Sequence, residues 1–122
     1  MHLLQGDDGE HGVLHDFGGD GPPLLLTHGN GLNAAMWTTA LPVLQRHRHC
    51  FGLDFRGHGA SRTQIPPLDV ERSHLVTEIL LAVAVIDEGP IDAVGHSLGG
   101  ATLVRTELEN PGTFRRMWLF EP

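Results

Sequence analysis

The stretch VGHSLGG, residues 94–100, contains the pattern G-x-S-x-G between a predicted strand at 91–94 and a predicted helix at 98–109. A serine on a tight strand-to-helix turn is lifted out of the sheet, and the flanking glycines remove side chains that would collide there. Free N–H groups of the first helical turn then face any negative charge that forms beside the serine. The pattern therefore predicts that Ser97 is a nucleophile, and its alternative is a glycine-rich turn with a capping serine.

Acyl transfer through a serine also requires N–H donors aimed at the developing oxyanion, each lowering the barrier by about 3 to 4 kcal/mol. The backbone N–H of Leu98, directly after the serine, is the first predicted donor. The second is expected from the loop HGNG at residues 28–31, where we assign it to the N–H of Asn30. The same loop is compatible with a plain glycine turn between a strand and a helix, and the sequence does not separate these two interpretations.

Predicted strands and helices alternate along the chain. An antiparallel hairpin is expected within residues 3–17, followed by strands at residues 24–27, 50–55, 91–94 and 117–120. Three helices are expected between these strands. Asn33 caps the first, which Pro42 breaks or restarts, and the third spans residues 98–109. Asp69 caps the second, which has four apolar residues on one face: Leu75, Ile79, Val83 and Ile86. Because parallel strands need crossover connections, the alternation predicts an α/β fold, a mostly parallel sheet with helices on both faces, in one domain over residues 1–122.

Composition limits the expected partners and location. The chain has 122 residues, of which 15 are acidic and 8 basic, and no basic run, so neither nucleic acid nor a membrane is an expected partner. The first residues lack the features of a secretory signal, and the lone cysteine, Cys50, fits a reducing compartment. Cys50 with His47 and His49 matches no closed zinc pattern, so no metal is predicted. We expect a soluble, cytoplasmic protein.

Three motifs occur in order: LLLTHGNG at 24–31, LDFRGHGAS at 53–61 and AVGHSLGG at 93–100. Together they resemble the α/β-hydrolase superfamily of serine hydrolase type, from roughly residue 13 to residue 122. The resemblance implies that Ser97 attacks an ester, amide or related acyl bond of a small-molecule substrate, and that the N–H groups of Asn30 and Leu98 form the oxyanion hole. It implies no cofactor, and a structural role at the sheet edge for residues 56–61.

The resemblance also implies a catalytic histidine that the family places after further strands. The family sheet has eight strands, and this chain accounts for about six of them. We therefore expect the N-terminal portion of an α/β-hydrolase core, nearly inactive alone, with the histidine supplied by the C-terminal part of the same protein or by a partner chain. Some members place the triad acid after the sixth strand, where Glu121 stands, although a simple strand-end carboxylate is the plainer interpretation.

None of the nine histidines is expected to replace that base. His96 should pack beside the turn, while His28 and His58 occupy turn positions where hydrogen bonds to loop backbone are expected. Most of the remaining histidines are expected to be solvated: His2, His11, His15, His47, His49 and His74.

Several other functions stay open on the sequence. C–C bond hydrolases and cofactor-free haloperoxidases of the same fold keep the serine. A dehalogenase-like enzyme is suggested by HGN followed by Trp37, and by Glu121, but displacing halide requires a carboxylate where Ser97 stands. A non-catalytic binding module would keep the scaffold without the base.

Overall fold

The computed structural model describes residues 1–61, 71–86 and 88–122. Along the chain the elements are β1 (His2–Gln5), β2 (His11–Gly18), β3 (Pro23–Thr27), a 3-10 helix (Ala34–Trp37), α1 (Leu41–Leu44), β4 (His49–Asp54), α2 (Arg72–Ile86), β5 (Ile91–His96), α3 (Leu98–Glu109) and β6 (Phe114–Phe120). Within those residues, no helix combines the length and the apolar composition that crossing a bilayer requires.

The six strands form one sheet in the order β1-β2-β4-β3-β5-β6. The hairpin β1 and β2 is antiparallel, and β2 also pairs antiparallel with β4. The strands β4, β3, β5 and β6 are mutually parallel. The predicted fold class is thereby confirmed, and the carboxyl ends of four strands meet at one edge, which is where α/β sheets bind ligands.

Helices cover both faces of the sheet because the side chains of the central strand alternate between them. All five residues of β3 are buried. Leu25 packs into the cluster formed with α2 and α3, whereas Leu24 and Leu26 pack toward the 3-10 helix and α1 on the other face. Strand β3 therefore reads as a continuous apolar run, as expected for a strand buried on both sides.

The segment after β3 is less regular than a single helix. Asn33 accepts a hydrogen bond from the Ala35 N–H at 2.9 Å, as predicted for a cap, but the turn it caps is a 3-10 helix. A separate single turn, α1, then begins with Pro42 in its first turn, which agrees with the predicted restart. The predicted cap Asp69 lies outside the described residues.

Charged side chains bind one another at the amino ends of the parallel strands. Asp92, the second residue of β5, is buried and accepts hydrogen bonds from Arg48 at 2.6 Å and from Arg115 at 2.7 and 3.0 Å. The Arg115 hydrogen bonds, opposed by burial and reinforced by Arg48, lower the pKa of Asp92 to about 2. These hydrogen bonds link the amino ends of β4, β5 and β6.

Among the described strands, β6 forms an edge of the sheet and pairs only with β5. Three large apolar side chains near its end are exposed: Trp118, Leu119 and Phe120, at 40%, 36% and 54%. Soluble proteins usually cover or charge such an edge. We therefore expect the isolated chain to self-associate.

Candidate active site

Ser97 lies at the abrupt reversal between β5 and α3. Its backbone has φ 49° and ψ −112°, a left-handed conformation that is costly for a residue other than glycine. The Ser97 N–H donates to the Phe120 carbonyl at 2.8 Å, and its own carbonyl accepts the first helical hydrogen bond, from Ala101, at 2.9 Å. Although it occupies the N-cap position of α3, its hydroxyl makes no capping hydrogen bond, unlike most N-cap serines. The half-buried hydroxyl is thus presented at the strand-to-helix turn.

Two glycines permit this turn. A Cβ added to Gly95 would lie 2.6 Å from the Cα of Gly100, so the end of β5 and the first turn of α3 are in backbone contact. A Cβ on Gly99 would lie 2.6 Å from the Thr27 hydroxyl and 2.7 Å from the His28 carbonyl oxygen. The glycines of G-x-S-x-G are therefore required by close packing, and the helix start rests directly on the end of β3.

The His96 ring fills the space between the turn and the HGNG loop, residues 28–31. A Cβ on Gly29 would lie 2.7 Å from the His96 Nδ1, so the loop backbone packs on this ring. The Nδ1 atom is buried and has no hydrogen-bond partner among the described residues. His96 packs beside the turn, as the sequence predicts, and it brings the two motifs together.

The two predicted oxyanion donors are amides without an acceptor in the described part of the chain. Leu98 is the first residue of α3, where a backbone N–H has no acceptor within the helix. Asn30 lies in an exposed turn, and the amides that follow it are used: Gly31 donates to His58 Nε2 at 3.0 Å and Leu32 donates to the Gly29 carbonyl at 3.1 Å. Within the described residues, neither the Asn30 nor the Leu98 N–H donates to a protein atom.

The two turn histidines hydrogen-bond loop backbone, as the sequence predicts. His28, fully buried, accepts the Phe55 N–H at 3.1 Å, and His58, 4% exposed, accepts the Gly31 N–H. Their other ring nitrogens lie 2.8 and 2.9 Å from the carbonyl oxygens of Gly29 and Arg56. Because both nitrogens of each ring are occupied, neither histidine is free to take a proton from Ser97.

Asp54, at the end of β4, holds two further loop amides, and sequence reasoning missed it. Its carboxylate accepts the N–H groups of Ala34 at 2.7 Å and Ala60 at 2.9 Å, and it lies 2.7 Å from His15 Nε2. Burial opposes the charged form, but these hydrogen bonds outweigh it and lower the pKa of Asp54. The available signal was a carboxylate at the carboxyl end of a buried strand, two residues before the Arg56 that begins RGHG.

Arg56 and Glu78 form a buried ion pair that the sequence also did not predict. The Arg56 N–H and Nε donate to the two Glu78 carboxylate oxygens at 2.9 and 2.5 Å, and Arg56 also binds Asp8 at 2.5 Å. Burial raises the pKa of Glu78 despite the nearby guanidinium. The pair fixes the loop after β4 to α2, which agrees with the structural role implied for residues 56–61.

Three of the six remaining histidines have a carboxylate partner that the sequence did not predict, although their rings stay partly exposed. His15, His49 and His74 each lie near a carboxylate, at 2.7 Å from Asp54, 2.7 Å from Asp16 and 3.5 Å from Asp8. Strand pairing and helix docking bring these acidic side chains close from distant positions in the chain. The His49 Nε2 is paired with Asp16. Among the described residues, no group of three or more side chains that could ligate a metal occurs.

Glu121 directly follows β6, beside the turn that carries Ser97. The Phe120 carbonyl accepts the Ser97 N–H, so the backbone of Glu121 begins next to the turn. Glu121 is exposed and has φ 47°, a second left-handed residue that is not glycine. Its position fits the carboxyl edge that the resemblance assigns to a triad acid.

An apolar cavity of about 360 Å³ lies on the α1 side of the sheet. Leu26, Val94, Trp37, Trp118 and Phe120 line it, and Ser97 does not. The Arg48 guanidinium lies over the Trp118 ring, 5.7 Å from its centre.

Known proteins are similar to this chain in sequence and in fold. The family model described as alpha/beta hydrolase fold matches residues 22–122. The (E)-2-((N-methylformamido)methylene)succinate hydrolase of Acinetobacter baylyi is 29% identical over 99 residues, which are 81% of this chain and 37% of that protein. The pimeloyl-[acyl-carrier protein] methyl ester esterase of Nitrosospira multiformis is 30% identical over 103 residues, covering 83% of this chain and 38% of that protein.

A solved structure gives the same result. The crystal structure of a hydrolase from Pseudomonas aeruginosa PA01 superposes with a TM-score of 0.83 and 29% identity, covering 95% of this chain and 43% of that one. The chain belongs to the alpha/beta hydrolase fold family. It spans less than half the length of these relatives.

Proposed function

We propose that this chain carries the nucleophile and the oxyanion hole of a serine hydrolase that cleaves an ester, amide or related acyl bond. The observation that carries the proposal is the strained turn at Ser97, directly before α3. The Ser97 hydroxyl makes no capping hydrogen bond to that helix. The hydrolase activities named for the two relatives support the same reaction class.

In the proposed reaction, Ser97 Oγ attacks the acyl carbon and forms a tetrahedral intermediate. The N–H groups of Leu98 and Asn30 donate to its oxyanion, and collapse of the intermediate releases the leaving group and forms the acyl-enzyme. Water then hydrolyses the acyl-enzyme and regenerates the serine. Both donors are backbone amides, so their positions depend on the packing of the loops that carry them.

A base must accept the Ser97 proton, and we propose that a histidine outside this chain's described residues supplies it. The ring nitrogens of His28 and His58 are occupied, and the His96 Nδ1 faces Gly29. Removing the base from a serine triad lowers kcat on the order of 10⁶-fold. The chain alone is therefore expected to be nearly inactive, and Glu121 is the candidate acid within it.

A fluorophosphonate probe tests the proposal in the natural full-length protein. The probe should label the wild-type protein and should fail to label Ser97→Ala. Ser73→Ala, which changes an exposed serine of α2, should be labelled as fast as the wild type. Equal labelling of Ser97→Ala and the wild type would overturn the proposal, and a well-folded full-length protein that is never labelled would favour a non-catalytic binding module.

A further inference from the structure

Two loops at the carboxyl edge support each other through a pair of histidines. The oxyanion loop, residues 28–33, follows β3, and the RGHG loop, residues 55–61, follows β4. His28 of the oxyanion loop accepts the N–H of Phe55 in the RGHG loop at 3.1 Å. His58 of the RGHG loop accepts the N–H of Gly31 in the oxyanion loop at 3.0 Å, and the two rings lie 4.9 Å apart.

The hydrogen bonds determine where the protons lie on both rings. A backbone N–H only donates and a carbonyl oxygen only accepts. Each Nε2 faces an N–H, and each Nδ1 faces a carbonyl oxygen, that of Gly29 at 2.8 Å for His28 and that of Arg56 at 2.9 Å for His58. Both imidazoles are therefore neutral, with the proton on Nδ1 and a bare Nε2. Burial, the main cause, lowers the pKa of His28 to about 4, which agrees with a neutral ring.

These bonds fix the peptide groups on both sides of Asn30. The Gly29 carbonyl accepts hydrogen bonds from His28 Nδ1 and from the Leu32 N–H at 3.1 Å. Because the peptide group is planar and trans, holding this carbonyl turns the Asn30 N–H to the opposite side. The following peptide is held through its Gly31 N–H by His58. The Asn30 N–H, which has no acceptor within residues 1–61, 71–86 and 88–122, thus lies between two fixed groups.

We propose that His28 and His58 are positioning residues of the oxyanion hole, acting as neutral Nδ1–H imidazoles that hold the Asn30 N–H toward the substrate. This inference rests on the proposed function, which makes Asn30 an oxyanion donor. Neither ring contacts the reacting atoms, and each acts through loop backbone.

Two substitutions of His58 separate its hydrogen bonds in the natural full-length protein. In His58→Gln the side-chain amide oxygen can reach the position of Nε2 and accept the Gly31 N–H. In His58→Asn the shorter amide can serve the Arg56 carbonyl but not Gly31. We expect His58→Asn to lower kcat on an activated ester about tenfold, with KM changed less than twofold, because the donor is misplaced. His58→Gln should recover most of the loss, and His47→Asn, at an exposed histidine, should behave as wild type.

Nitrogen NMR of ¹⁵N-histidine-labelled wild-type protein tests the proton positions without any substitution. We expect His28 and His58 to show a bare Nε2 and a protonated Nδ1. A protonated Nε2 on either ring would overturn the inference, even where His58→Asn does not fold. Wild-type kcat in folded His58→Asn would also overturn it.

The same experiments distinguish this inference from the proposed function. Labelling that requires Ser97 but is unaffected by His58→Asn refutes the positioning role and leaves the hydrolase proposal standing. Labelling that does not require Ser97 refutes the hydrolase proposal and, with it, the oxyanion role of Asn30.

Discussion

The two ends of the parallel strands use polar side chains in opposite ways. At the amino ends, Asp92 binds the guanidinium groups of Arg48 and Arg115, so side chains satisfy one another. At the carboxyl ends, His28 and His58 accept backbone N–H groups of neighbouring loops, as does the carboxylate of Asp54.

The difference shows what each end must keep in place. The ion pairs of Asp92 fix the relative positions of the strands and hold no loop backbone. The carboxyl end also has an ion pair, Arg56 with Glu78, but that pair anchors the loop after β4 to α2. Bonds from side chains to amides fix loop backbone, which is what a site built from two backbone donors requires. The amides of Asn30 and Leu98 have no acceptor among the residues that the structure describes, while neighbouring loop amides are paired, so the carboxyl end is preorganised around these two groups.

The largest expected effect comes from breaking the backbone contact at the carboxyl end. Gly95→Ala would place a Cβ 2.6 Å from Gly100, and we expect the free energy of unfolding to fall by about 3 kcal/mol. Gly100→Ala is the matched control, because its nearest contacts would be 3.2 Å away and alanine favours a helix. Urea unfolding of both variants measures this, and equal losses would show that the contact at Gly95 is not the critical one.

Acid should weaken the carboxyl end first. The pKa of His28 is about 4 in the folded chain against an ordinary 6.5, so the unfolded chain binds more protons between these values. Stability should therefore fall as the pH falls from 6.5 to 4, by about 3 kcal/mol from this residue. Unfolding free energies across this range, with an NMR titration of the His28 ring, provide the measurement. A titration midpoint of the folded His28 ring near 6.5 would contradict this prediction, because His28 would then contribute no pH dependence to stability.

A smaller effect is expected at the amino end, in a lower pH range. The pKa of Asp92 is lowered from 3.8 to about 2, chiefly by Arg115, so its contribution is present above 3.8 and is lost as the pH falls toward 2. Asp92→Asn should lower the free energy of unfolding at neutral pH by about 1.5 kcal/mol. The effect is smaller than the pKa shift alone implies, because solvent screens the half-exposed Arg115. Asp20→Asn, at an exposed aspartate, is the control. Equal stability of the two variants at pH 7 would contradict the comparison.

The fold was predictable from local patterns. The strand before Ser97 and the helix after it are both present, and α3 has the predicted bounds, 98–109, with the breaker residues 110–112 after it. Part of the signal at the serine turn is local, because Gly95 is required by its contact with Gly100, whereas Gly99 is required by distant residues, Thr27 and His28. The alternation of strands and helices then predicts the parallel sheet.

The supporting contacts of the site were not predictable, because they join distant residues. Glu78 lies 22 positions from Arg56, and a buried carboxylate on a mostly apolar helix gives no sign of its partner. His15 meets Asp54 across 39 positions, through the register of β2 on β4. The sequence names the residue types at the carboxyl edge, whereas strand register and helix docking decide which of them bind one another.

The central place of β3 also affects how the chain folds. This strand is made before both of its neighbours, β4 and β5, so its backbone groups find partners only after long loops have closed. Chains dominated by such non-local pairing fold slowly, because the entropy of loop closure is lost before the contacts form. The apolar run of β3 therefore stays without its native neighbours for the early part of folding.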